Sequence, residues 1–340
     1  MLKSTNRVTI TRSTRTISEF VSWLIGEKEI MMSEAVLEVK NLVKYFGKRK
    51  IIDNVSFEVF PGEIFGFLGP NGAGKTTTIK MIMGFLAVDE GEILINGINI
   101  RSDYESAMSS IGGIVENPEM YKDLSGQLNL EMYARLHDGV TPERIKEVVE
   151  LVGMQNRIKD KVKKYSLGMK QRIGVAQSIL HKPKVLILDE PTNGLDPSGI
   201  KELRDIFKKL AHEEGVAVFV SSHLLSEMQL MCDRVGIIHN GKLLGVKPIK
   251  KLMDEATGGV FYRFMTKQAQ QAAEILKVDY PEKVRNFTAD YIELEIEEQE
   301  VPEVNRKLAL AGIPIFGVNK LESSLEDAFI SITGGGNSIA

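Results

Sequence analysis

The segment Glu63-Ile-Phe-Gly-Phe-Leu-Gly69-Pro70-Asn71-Gly72-Ala73-Gly74-Lys75-Thr76-Thr77-Thr-Ile-Lys-Met-Ile-Met-Gly-Phe85 joins a short apolar run to a glycine-rich turn and then to an apolar pattern of helical period. Glu63 to Gly69 read as a buried strand, and from Thr76 onward Ile79, Ile82, Met83 and Phe85 are expected to face the core from a helix. The glycine-rich loop therefore sits at a helix N-terminus, where unpaired backbone N–H groups and the positive end of the helix dipole favour bound phosphate. Gly72 and Gly74 let the backbone approach phosphate oxygens with no Cβ in the way, Lys75 reaches the outer phosphates, and Thr76 offers a hydroxyl to Mg²⁺. A plain strand-to-helix turn would also use glycine, but the full G-x-x-x-x-G-K-T spacing in this setting points to phosphate.

A second apolar run, Val185-Leu-Ile-Leu-Asp189, is too short for a membrane and suits a central parallel strand. Asp189 then emerges at the carboxyl end, where α/β sheets place their ligands, and is expected to hold Mg²⁺ through water. Glu190 follows it, positioned to orient or deprotonate an attacking water, the task that phosphoryl transfer leaves to the protein. Further on, Val216 to Val220 read as another buried strand, followed by Ser221-Ser-His223.

Between these elements lies Tyr165-Ser166-Leu167-Gly168-Met169-Lys170-Gln171-Arg172, where Ser166 reads as an N-cap for a helix over Lys170 to Leu180. The ordered set of loop, Ser-x-Gly segment, Asp-Glu strand end and histidine resembles the ATPase cassette of ABC transporters. The resemblance implies an α/β fold: a P-loop NTPase cassette with a mostly parallel sheet core and a helical subdomain. It implies ATP and Mg²⁺ as cofactors and residues 69–77, including Pro70, Asn71, Ala73 and Thr77, as the nucleotide cradle. Ser166 and Gly168 match the family signature that reaches the γ-phosphate held by the opposite subunit, while Leu167 and Met169 depart from it. Each site would then need two cassettes, an ATP-dependent homodimer. Asn193-Gly-Leu-Asp196-Pro is similar to the family's D-loop, His223 to its switch histidine, and Lys44-Tyr45-Phe46-Gly47 to the loop whose aromatic ring stacks on adenine. Phe46 is the ring placed by alignment to the residue before Gly47, with Tyr45 as the alternative.

Where the family's Q-loop glutamine falls, after Ile111-Gly-Gly-Ile-Val115, this chain has Glu116. That replacement resembles the ATPases of bacitracin and lantibiotic self-protection exporters and implies a metal-side oxygen ligand that carries a negative charge. Glu190 and His223 are the implied catalytic residues; Thr76, Asp189 and Glu116 are the implied metal ligands.

Composition sets bounds. At 340 residues and 43% apolar content the chain can hold one large and one small folded unit. A net charge of −3 leaves no electrostatic footprint for nucleic acid. No stretch approaches the ~20 apolar residues of a membrane span, so transport would require a separate integral membrane permease, with this chain on the cytoplasmic face of the membrane. The lone Cys232 excludes an internal disulfide framework and reads as a small buried apolar residue.

Residues 1–34 read as a disordered extension, or as a start placed upstream of Met31 and Met32. The cassette is expected over 35–244, with Val55, Phe57 and Val59 on one face of a strand and the helical subdomain at about 117–170. Leu130, Tyr133, Ala134 and Leu136 form one apolar helix face there, and Ile145, Val148, Val149 and Val152 another. Residues 245–340 read as a small α+β domain. Its strands are expected at Val260 to Met265, Tyr291 to Glu297 (Glu293, Glu295 and Glu297 on a wet face) and Ile313 to Val318. Its helices are expected at Gln268 to Lys277, Pro302 to Leu310 and Ser324 to Ile330. The closing Ser-Leu-Glu-Asp-Ala-Phe resembles the tail of antibiotic-exporter ATPases. Export is thus the expected function; the alternative, an ATPase acting on ribosomes or DNA, would call for paired cassettes or long heptads.

Overall fold

The computed structural model describes residues 34–252 and 261–321. In chain order, β1 (Leu37–Phe46) and β2 (Arg49–Val59) form a hairpin, and β3 (Ile64–Leu68) leads through the glycine-rich loop into α1 (Lys75–Ile82). β4 (Glu90–Ile95) and β5 (Ile98–Asn99) return to the hairpin's sheet, and α2 (Tyr104–Met108) and β6 (Ile111–Ile114) precede the helical excursion of α3 (Gly126–Ala134) and α4 (Pro142–Leu151). α5 (Leu167–Ser178) leads back to β7 (Val185–Asp189), α6 (Pro197–Lys208), β8 (Ala217–Ser222), α7 (Leu225–Met231), β9 (Arg234–His239) and β10 (Lys242–Pro248). Then come β11 (Phe261–Met265), α8 (Ala269–Asp279), β12 (Val284–Phe287), β13 (Tyr291–Glu295), α9 (Val301–Leu310) and β14 (Gly317–Leu321).

The central sheet has the order β10-β9-β3-β8-β7-β6, parallel except for the edge strand β10. A parallel sheet must be covered on both faces, and the alternation within each strand shows how. Ile64, Leu68, Leu186, Leu188, Val218 and Val220 pack with Leu203 and Phe207 of α6 and with the apolar faces of α3, α4 and α5. Phe65, Phe67, Val185, Ile187 and Phe219 point the other way, toward α1 and the antiparallel sheet β2-β1-β4-β5. Phe57 joins those layers, its ring 5.4 Å from Phe65 and 5.7 Å from Phe219. Ser125, Thr141, Ser166 and Asp196 cap α3, α4, α5 and α6 by accepting backbone N–H groups, and Pro142 and Pro197 occupy first helical positions. The C-terminal sheet, order β12-β13-β11-β14, has its own core of Tyr262, Phe264, Ile292 and Leu294 against α8 and α9.

Several expectations change. Phe85 is 65% exposed: α1 stops at Ile82, Gly84 turns the chain at φ 72°, and the Gly84 and Phe85 N–H groups bond back to Met81 and Lys80, a Schellman stop that sends Phe85 outward. Leu136 lies past the end of α3 and is exposed. The stretches 119–125 and 152–161 are not helical. Glu293 and Glu295 are half-buried and pair with Arg263 and Arg285 from neighbouring strands, leaving Glu297 as the exposed member of the three. β14 starts at Gly317 rather than Ile313, because Pro314 has no N–H to donate and the pairing opens with Phe316 N–H to Met265. Packing of the cassette continues past Gly245 to Leu252, which is buried in its core. Cys232 is buried beside Met228, and burial pushes its thiol pKa up. Residues 1–33, Val260 and the helix expected over 324–330 lie outside the described residues.

Candidate active site

The carboxyl ends of β3, β7 and β8 meet at one edge of the central sheet because the three strands are adjacent and parallel. The loop after β3 is held from behind. Gly69 lies so close to β9 that a Cβ there would stand 2.3 Å from the Ile238 carbonyl oxygen. The Asn240-Gly241 turn between β9 and β10 braces the loop, with Gly241 N–H donating to Ala73 at 3.0 Å and Asp53 N–H donating to Gly241 at 2.8 Å. Gly74 has φ 110°, and the space of its missing Cβ is filled by Ile52. Pro70 is half-buried and accepts from Ala73 N–H, whereas Asn71 and Gly72 face solvent with open space around Gly72. No side chain caps α1, so its first-turn N–H groups, those of Lys75, Thr76 and Thr77, lack intrahelical acceptors.

Lys75 is buried, and its Nζ donates to Gly69 O at 2.8 Å and lies 3.4 Å from Glu190 Oε1. Glu190 Oε2 is 2.8 Å from His223 Nδ1. Asp189, also buried, accepts from Ser221 Oγ at 2.6 Å, and the same Oγ accepts from Glu190 N–H at 3.1 Å. The structure thus brings Lys75, Asp189, Glu190 and His223 together. Ser221 completes the cluster and was not among the expected site residues; the register Asp189↔Ser221 places it there. α1 lies against β7, so Thr76 and Asp189 belong to neighbouring elements.

Five expected residues stand apart from this cluster. Phe46, 52% exposed, ends β1, where Lys44 pairs with Ile52, the residue packed on Gly74. Asp89 clamps that strand end by accepting from Lys44 Nζ at 2.8 Å and Tyr45 N–H at 2.7 Å. Tyr45 has the Lys50 ammonium over its ring, while Phe46 projects further into solvent. Ser166 and Gly168 open α5, and this end packs on the Gly194-Leu195 turn: a methyl on Gly168 would lie 3.8 Å from Leu195. Asp196 accepts from Gly199 N–H at 3.0 Å as the cap of α6. Glu116 has φ 67° and pairs with Lys80 of α1 at 2.9 Å. The Lys80 ammonium holds its carboxyl below the usual carboxylate range.

Chemically, the loop offers N–H donors and a buried ammonium to a polyphosphate, and Glu190 and His223 offer a carboxylate and an imidazole beside it. Among the described residues no cluster of three or more metal-ligating side chains occurs. A hydroxyl and a carboxylate, Thr76 and Asp189, are hard oxygen donors of the kind that hold a cation completed by phosphate oxygens and water.

Fold and site together define a P-loop ATPase of the cassette type. A family model described as ABC transporter matches residues 52–193. The ABC transporter ATP-binding protein YhcH of Bacillus subtilis strain 168 is 52% identical over 303 residues, covering 88% of this chain and 97% of that protein. The bacitracin transport ATP-binding protein BcrA of Enterococcus faecalis is 38% identical over 309 residues, covering 90% of this chain and 99% of that one. A solved ATP binding subunit of an ABC transporter superposes with a TM-score of 0.58 at 28% identity, over 65% of this chain and 92% of that one. The chain belongs to the ABC transporter ATP-binding proteins: it binds ATP and couples ATP hydrolysis to transport. That reading stands over the ribosome- or DNA-directed alternative.

Proposed function

We propose that this chain powers export of an antimicrobial compound, a peptide antibiotic or a lipid-like molecule, through a separate membrane permease on whose cytoplasmic face it sits. No helix among the described residues is long and apolar enough to cross a membrane, which agrees with a partner supplying the path. The full-length similarity to a bacitracin transport protein and the glutamate at position 116 favour this cargo class. The observation that carries the chemistry is the Lys75–Glu190–His223 contact beside buried Asp189.

The loop N–H groups and Lys75 hold the β- and γ-phosphates of ATP, and Phe46 stacks on adenine. Thr76 and Asp189 would hold Mg²⁺, with the Glu116 carboxylate a further oxygen donor for it, and the cation would neutralise charge on the phosphate oxygens. Glu190 orients the attacking water, and His223, on Glu190's other oxygen, keeps that carboxylate facing the γ-phosphate. Ser166, Gly168 and Asp196 point to a second copy, completing that copy's nucleotide site in an ATP-dependent homodimer.

Glu190→Gln tests the assignment. ATP binding should persist while turnover falls by about 10²-fold, and sedimentation with saturating Mg-ATP should show a trapped dimer. Unimpaired hydrolysis by a chain that stays monomeric would overturn the reading.

A further inference from the structure

Glu190 has φ 48°, in the left-handed region that non-glycine residues rarely adopt, and it precedes Pro191, which biases it toward extended backbone instead. Such an outlier persists only when its surroundings hold it. Upstream, its N–H donates to the hydroxyl and the carbonyl oxygen of Ser221. Downstream, Asn193 N–H closes the turn onto the Glu190 carbonyl at 3.1 Å. The side-chain anchor on that side is Thr192, whose hydroxyl donates to Glu227 Oε2 at 2.5 Å. Both partners are buried, Thr192 at 3% exposure and Glu227 at 8%. Glu227 stands in the first turn of α7, four residues beyond His223, so one short segment supplies both the contact to the Glu190 carboxylate and the anchor for its backbone.

A buried carboxylate is costly to desolvate unless it is used, and packing alone would be met by an apolar residue. We propose that Glu227 is a positioning residue for Glu190: through the Thr192 hydroxyl it locks the Glu190-Pro191-Thr192 turn to α7, so that the Glu190 carboxylate stays between Lys75 and His223. The inference rests on Glu190 orienting the attacking water. It ties the two segments that flank the γ-phosphate, the one after β7 and the one after β8, at a point beyond both expected catalytic residues.

The test uses the full chain and four variants: Thr192→Val, Thr192→Ser, Glu190→Gln and the double variant Thr192→Val/Glu190→Gln. Valine keeps the volume of threonine and removes the hydroxyl; serine keeps the hydroxyl. Thr192→Val should lower kcat about tenfold, the loss of one charge-assisted hydrogen bond, with KM and ATP affinity within about twofold. Thr192→Ser should keep the parent rate. Once the carboxylate is gone its position no longer matters, so Thr192→Val should change the residual rate of Glu190→Gln by less than about twofold. A kcat for Thr192→Val within twofold of the parent overturns the proposal, and so does an equal loss in the Glu190→Gln background, which would mark a general defect. If instead Glu190→Gln itself turns over at the parent rate, the catalytic reading of Glu190 fails and this inference with it. Should Thr192→Val not fold, Glu227→Gln, of the same size but uncharged, is judged by the same kcat, KM and background criteria, with about a threefold kcat loss expected for a weaker neutral bond.

Discussion

Replacing Gly168 with alanine separates what the fold needs from what the nucleotide needs. Gly168 is the second residue of α5, its φ is not positive, and the nearest atom to an added methyl is Leu195 Cδ2 at 3.8 Å, an ordinary contact. Within one chain the substitution therefore costs no strain and restricts the unfolded state, a gain of about 0.4–1 kcal/mol for Gly→Ala at a compatible position. For a chain of this size that raises Tm by roughly 0.5–1.5 °C. Across the proposed dimer the outcome reverses. If backbone N–H groups at this helix start donate to a γ-phosphate held by the second copy, a methyl at Gly168 pushes that phosphate away. Losing one charge-assisted bond of about 1.5–3 kcal/mol lowers kcat/KM by roughly 10- to 10²-fold. Thermal unfolding without nucleotide and phosphate release with Mg-ATP, on the same preparation, read the two effects independently. A Gly168→Ala chain that is more stable and fully active would refute the approach of this glycine to a phosphate; a less stable one would refute the packing described for α5.

Gly69 predicts the opposite pattern. Its added Cβ would meet the Ile238 backbone oxygen at 2.3 Å and must reach about 3.4 Å for ordinary contact, so the loop or β9 must shift by about an ångström; Gly69→Ala should lose about 1–3 kcal/mol of stability and, through the displaced loop, about 10²-fold in turnover. Unchanged Tm in calorimetry would count against the brace from β9. The pH profile offers a further check at His181. Burial, opposed by a hydrogen bond to Ile111 O and reinforced by stacked His137 and by Arg144, holds its imidazole below the ordinary value. The folded value being the lower one, the neutral form is favoured by folding: its contribution is full above the unfolded value of about 6.5 and is lost as pH falls through that value toward the folded one. Denaturant melts from pH 8 to pH 5 should therefore lose stability more steeply for the parent than for His181→Asn, and coincident profiles would show that this histidine carries none of the dependence.

The contrast between Lys75 and Thr192 shows which parts of the site a sequence exposes. The loop from Gly69 to Thr77 is local: its strand, turn and helix are contiguous, and phosphate chemistry dictates residue type at each step, so its reading needs no knowledge of distant chain. Glu190 and His223, 33 residues apart, come together at 2.8 Å only because β7 and β8 are adjacent; the motif order announced them, while spacing alone would not. Thr192 and Glu227, 35 residues apart, have the same relation with no motif to announce it. The same division explains the errors. Helical period correctly buried Ile79 and Ile82 but carried on through Phe85, because the stop depends on a left-handed Gly84 whose missing Cβ makes room for the Tyr104 ring, twenty residues away in the chain. Alternation placed Glu293 and Glu295 on one face of β13, yet whether that face is wet was decided by Arg263 on β11 and Arg285 on β12. Faces and periods are properties of one segment, whereas the partner that covers a face is a property of sheet order. For the active site this matters directly, since the expected catalytic residues are strand ends whose neighbours in space are set by the order β3-β8-β7. The positioning contacts that hold Glu190 in a disfavoured conformation follow from that order: Ser221 supplies one from the end of β8, and Thr192 and Glu227 supply the other from the segments leaving β7 and β8.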